Sequence, residues 1–255
     1  MPSLLARVDD IAGRITNRLI ERLPGPQIDV TTTTPIVSFT FDDVPDTALT
    51  HGARILERYG ARGTFYISGG LANRREADRT LISPEGCAEL RDRGHELASH
   101  TFAHPNVRHL YGNALAHDIE RNREYLSRIE PTPARRNFAY PYTAGSFRAR
   151  ALLAREFRSM RGGLYGINRG RVDRTYLRGI PIEQPESSVL ALRNTVDELV
   201  RNPGWAIFFG HDVSEQPTPY GCTPESFEAL VRHTRESGCE ILTVDAALDR
   251  FGVAP

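Results

Sequence analysis

The apolar positions of this chain change period several times, and each change marks an element. Leu4, Leu5, Val8, Ile11, Ala12, Ile15, Leu19 and Leu23 recur at helical spacing, with Arg7, Arg14, Arg18 and Arg22 filling much of the other side. That pattern predicts an amphipathic helix. Pro24-Gly25-Pro26 ends it and Thr31 to Thr34 form a linker, which sets residues 1–34 apart from a body over 35–255. The apolar face suits packing on that body or on a second subunit, a route to a homo-oligomer. Binding to a membrane surface is the sharper alternative.

From Ile36 onward, short apolar runs alternate with helical patterns. Extended runs are expected at 36–41, 63–67, 96–99, 137–140, 176–182, 205–209 and 240–244. Helices are expected at 48–59, from Ser83-Pro84-Glu85, at 114–129, 147–157 and 187–200, and from Thr223-Pro224-Glu225. Ser83 and Thr223 read as N-caps, each followed by proline at the first helical position and an acid in the first turn. Repeated strand-then-helix units predict an α/β fold with a mainly parallel sheet. About seven strands suit a closed or nearly closed (β/α) barrel, whose functional site lies at the C-terminal ends of the strands.

The run Ile36 to Phe41 stops abruptly at Asp42-Asp43, with Pro45 following. Two acids at the end of a buried strand are costly unless something there needs negative charge. Inside a strand, neighbours point apart; at its end the chain turns, and both acids can face one pocket. The third expected strand ends in His100-Thr101-Phe102-Ala103-His104, and the apolar run Trp205 to Gly210 ends in His211. On a helical turn the i, i+4 histidines share a face. Two imidazoles and a carboxylate make a three-ligand metal site with an open position.

Composition narrows the chemistry. The 255 residues suit one large domain, and 32 bases balance 32 acids, so no strong field points to nucleic acid. Every base is Arg, which excludes a Schiff-base lysine and a Walker-type phosphate loop. Cys87, Cys222 and Cys239 are scattered, which argues against a disulfide framework or a cysteine zinc site. No run approaches the roughly 20 apolar residues of a membrane span. Charges interrupt the N-terminus from Arg7, unlike a signal peptide, so the expected location is cytoplasmic.

Thr40-Phe41-Asp42-Asp43, Gly94 to His104, and Phe138-Ala139-Tyr140-Pro141-Tyr142 resemble the first three motifs of the polysaccharide deacetylases, carbohydrate esterase family 4. Phe209-Gly210-His211 resembles the last motif, and the likeness spans roughly Ile36 to Phe251. The resemblance implies a distorted parallel (β/α) barrel that hydrolyses acetyl groups from sugar polymers with one divalent metal, often zinc. It implies that Asp43, His100 and His104 bind the metal, that Asp42 is the general base and His211 the general acid. It further implies that Tyr142 offers its backbone N–H to the oxyanion and that Pro141 and Tyr140 shape the groove.

The pattern departs from the family at one position. Many members carry an arginine two residues before the motif proline, where it holds the base; here that residue is Ala139. Arg178, amid Tyr176 to Ile182, is the expected replacement. Asp173 and Tyr176 only loosely match the fourth motif. The leading expectation is a metal-dependent deacetylase acting on an acetylated carbohydrate. Hydrolysis of a small amide or cyclic amide is the alternative chemistry, and a carbohydrate-binding protein without turnover the alternative class. A serine hydrolase is disfavoured by the lack of a Gly-x-Ser-x-Gly elbow.

Overall fold

The computed structural model describes residues 15–20, 22–23, 25–110, 113–131, 136–183 and 187–254. In chain order the strands are β1 (Gln27–Val30), β2 (Ile36–Asp42), β3 (Thr64–Ile67), β4 (Glu96–Ser99), β5 (Phe138–Ala139), β6 (Met160–Tyr165), β7 (Gly170–Asp173), β8 (Leu177–Pro181), β9 (Trp205–Gly210) and β10 (Glu240–Ile241). Parallel neighbours run β2-β3-β4-β5-β6-β8-β9, and β9 returns to β2 along Ile36↔Trp205 through Phe41↔Gly210. The seven strands close a barrel, the fold expected from the alternating pattern, although β6 is not among the expected runs and β10, which is, pairs only with β2 outside the ring.

The closure is uneven. β3 meets β2 only from Thr40 onward, and β10 fills the gap below it by pairing with Ile36 and Val37. β5 joins β4 through the single pair Ser99↔Phe138. β1 and β7 form a separate antiparallel pair outside the barrel. The last expected strand is short, because Thr243 caps a helix over Val244–Arg250.

Strand alternation sorts the side chains. Val37, Phe39 and Phe41 of β2 pack outward with Phe65, Phe208 and Phe227 in the largest apolar cluster. Ser38, Thr40 and Asp42 take the opposite face. Ser38 Oγ accepts from Trp205 Nε1 at 2.9 Å, and Thr40 Oγ1 donates to the Phe208 carbonyl at 3.0 Å. Tyr66, Ala98 and Ala139 form a small buried cluster of their own.

A helix is present over 15–20 and packs on the body. Ile20 is buried with Val107, Leu115, Tyr140 and Tyr176. Asn17 Oδ1 accepts from Tyr176 Oη at 2.7 Å and from Arg108 Nη2 at 3.0 Å. The expected helical positions from Leu4 to Ala12 lie outside the described residues.

Candidate active site

The strand ends bring Asp42, Asp43, His100, His104, Tyr142 and His211 to one cleft of about 660 Å³. Asp42 is the last residue of β2, and its 3% exposure makes a charge partner obligatory. That partner is Arg161 of β6, whose Nη2 donates to Asp42 Oδ2. The guanidinium lies 4.1 Å from the Phe209 ring centroid and 5.5 Å from that of Tyr66. Burial works to raise the Asp42 carboxyl, but Arg161, His100 and His211 outweigh it and hold it below its ordinary 3.8. Oδ1 has no hydrogen-bond partner.

Arg178 is not the residue found on Asp42. Its Nη1 donates to the Tyr165 carbonyl at 3.0 Å. Its neighbour Gly179 is the β8 residue facing Arg161: a Cβ there would lie 3.1 Å from Arg161 Cδ. Consecutive strand residues point to opposite sides, so Arg178 faces away from that interior position. The arginine therefore enters from β6, the strand between β8 and the Ala139 strand β5, over a glycine of β8 that leaves room for its stem.

Asp43 follows the strand in a left-handed conformation, φ 58°, which turns its carboxylate into the same cleft as Asp42. Its Oδ1 lies 3.0 Å from His104 Nε2 and 3.7 Å from His100 Nε2, and the three ligand atoms fall within 4.8 Å of one another. His100 Nδ1 sits 2.8 Å from the Ala139 carbonyl; donating there leaves Nε2 as the lone pair. Burial first, and then His100, push His104 down to about 4, so its imidazole is neutral near pH 7. Asp43 stays ionised: burial raises its carboxyl, and His100, His104, His211 and Arg79 together lower it further. Two imidazoles thus face a buried carboxylate oxygen that has no hydrogen-bond partner. The donor set fits a divalent cation.

The loop carrying the histidines is strained, with Thr101 at φ 67° and His104 at φ 53°. Its neighbours over-determine it. Asp118, from the helix Ala114–Ile129, accepts from the N–H groups of Phe102 at 2.7 Å and Ala103 at 3.1 Å. One turn on, Asn122 accepts from Gly69 N at 2.9 Å and donates to Ile67 O and Ser99 Oγ, tying the ends of β3 and β4 together. Neither residue carries a motif; an acid and an amide four apart on a buried helix face were the only signal.

Pro141 and Tyr142 follow β5, with Tyr142 at φ 57° and 64% exposed, its ring centroid 4.7 Å from that of His104. Tyr140 is fully buried below them and does not line the cleft. His211 lies across the cleft with Nδ1 3.3 Å from the Tyr220 carbonyl. Asp173 is elsewhere, accepting from Gly25 N and Thr175, and Tyr176 is buried against Asn17 and Thr143.

The family model described as "Polysaccharide deacetylase" matches residues 29–156. A chitin deacetylase of Colletotrichum lindemuthianum is 27% identical over 216 residues, covering 84% of this chain and 79% of the relative. The solved structure of the chitin deacetylase from that fungal pathogen superposes with a TM-score of 0.62 at 22% identity, over 89% of this chain and 92% of the other. A family 4 acetyl xylan esterase from Clostridium thermocellum, solved with a cobalt ion, gives a TM-score of 0.61 at 22% identity, over 86% and 93%.

Two substitutions check this geometry. Arg161→Ala removes the cation that lowers the Asp42 carboxyl, so the acidic limb of the kcat–pH profile should move up by about 1–3 units, with metal content unchanged. Arg161→Lys should move it less; a limb that stays in place takes Arg161 out of this role. Asp118→Ala should weaken metal binding roughly 10–100-fold, measured by chelator competition, because the histidine loop loses its anchor.

Proposed function

The chain belongs to the polysaccharide deacetylase family, and we propose that it works as a metal-dependent hydrolase removing acetyl groups from a sugar polymer or oligosaccharide, with zinc as the ion. The observation that carries this reading is the Asp43–His100–His104 cluster beside the Arg161-bound Asp42 in one open cleft. Asp43, His100 and His104 would hold the ion. When bound, it supplies a Lewis acid for the acetyl carbonyl and lowers the pKa of a water from about 15.7 to about 7.

The chain's own groups do the rest. Asp42 accepts the attacking water's proton at Oδ1, because Oδ2 is engaged by Arg161. The Arg161 contact also keeps the base ionised and fixes its plane. The backbone N–H of Tyr142, held in its left-handed turn, offers a donor to the carbonyl oxygen as charge develops there, worth about 3–4 kcal/mol. His211, protonated at Nε2 with Nδ1 turned to the Tyr220 carbonyl, gives its proton to the leaving nitrogen or oxygen.

The cleft rim supports a sugar substrate. Tyr142, Tyr165 and Tyr220 are the exposed tyrosines among the described residues, at 64%, 64% and 57%, and all three line it. Rigid amphipathic rings of this kind offer contact area at low entropic cost.

Acetate release should be measured from N-acetylated glucosamine oligomers and O-acetylated xylo-oligosaccharides. Chelation is expected to abolish release and zinc to restore it. Asp42→Asn and His211→Ala should retain the ion yet lose about 10²-fold or more in kcat. Release that survives chelation, or hydrolysis of cyclic amides with no acetylated sugar turned over, would overturn this function.

A further inference from the structure

Outside the family motifs, residues 73–82 form a small hairpin. Asn73 N donates to Ile82 O at 3.2 Å, Leu81 N to Arg74 O at 2.9 Å, and Glu76 N to Arg79 O at 2.8 Å. The hairpin is stitched to the turn after β2: Asp46 N donates to Thr80 O and Ile82 N to Val44 O, both at 2.9 Å, with a bridge between Pro45 and Leu81. These contacts tie the hairpin to the turn that carries Asp43.

That hairpin delivers Arg79 to the expected metal site. Arg79 Nη2 donates to Asp43 Oδ2 at 3.2 Å, while its Nε holds Glu76 Oε2 at 2.7 Å. The two oxygens of Asp43 are thus divided. Oδ2 is taken by the guanidinium, and Oδ1 alone faces His100 and His104. We propose that Arg79 is a positioning residue that restricts Asp43 to one ligating oxygen and holds positive charge beside the ion, giving up metal affinity to keep a coordination position open for substrate. The proposal rests on the ligand assignment made above.

The physical argument is a competition for one carboxylate. A free carboxylate binds a divalent ion through one or both oxygens. A charge-assisted hydrogen bond to Oδ2 opposes the second mode and withdraws charge from the first. A cation close to a dication also repels it. Each effect weakens binding and leaves the ion a stronger Lewis acid.

Arg79→Gln and Arg79→Ala should therefore bind zinc about tenfold or more tighter than the unaltered chain, by competition with a chromophoric chelator. The same variants should lose about tenfold or more in kcat on whichever acetylated substrate the protein accepts. Arg79→Lys, which keeps the charge, should recover affinity toward the unaltered value. A merely structural arginine predicts the opposite sign, weaker zinc binding together with lost turnover, and that result would overturn the proposal. So would unchanged zinc affinity in both variants. Failure of the unaltered chain to bind zinc at all would overturn the ligand assignment, and the proposal with it; activity on a different substrate class with tighter zinc in the variants would leave it standing.

Discussion

Burying two adjacent carboxylates at the end of one strand is the constraint from which the rest of the site follows. Asp42 and Asp43 are 3% and 8% exposed. An uncompensated buried charge costs several kcal/mol, more than a domain of marginal stability tolerates twice. Each is compensated from a different part of the fold. Asp42 receives Arg161 from β6 across the barrel, and Asp43 receives Arg79 from the hairpin after β3. The remaining oxygens, Asp42 Oδ1 and Asp43 Oδ1, have no hydrogen-bond partner, and these are the atoms assigned to the base and to the ion in the proposed function. The barrel is the frame that makes such compensation possible, since its closure brings β6 and β2 to opposite walls of one small interior.

The backbone carries a second signature of the same demand. Asp43, Val44, Thr101, His104, Tyr142 and Thr143 all adopt positive φ without being glycine. They fall on the turns after β2, β4 and β5, to which the proposed function assigns the base, the ligands and the oxyanion donor. Such conformations cost about 1–3 kcal/mol each and persist only where the surroundings enforce them. Asp118, Asn122 and the Asn73–Ile82 hairpin provide that enforcement through hydrogen bonds to main-chain groups.

Much of this was legible in the chain. Alternation of apolar runs and capped helices marked the barrel strands from β2 to β5, together with β8 and β9, and the abrupt ends of three runs marked the cleft. What failed was local. Met160-Arg161-Gly162-Gly163 carries no strand pattern, because its glycines serve close approach: a Cβ at Gly162 would lie 2.4 Å from the Tyr176 ring and one at Gly163 2.6 Å from Thr143 O. Missing β6 hid Arg161, and Arg178 took its place in the reading because it sits in a run with clear β propensity. Arg79 was equally hidden, in a polar stretch where arginine is ordinary. Motifs at strand ends are readable because chemistry fixes residue type; the groups that hold them are fixed only by geometry.

The proposed function places one divalent ion between Asp43, His100 and His104, with Asp42 beside it and outside its ligand shell. Anomalous diffraction at the zinc edge, from crystals of the zinc-loaded protein, tests it most directly. One peak is expected, about 2.0–2.2 Å from Asp43 Oδ1, His100 Nε2 and His104 Nε2, with Asp42 still on Arg161. A peak coordinated by Asp42 or His211, or none between the three ligands at full loading, would contradict it.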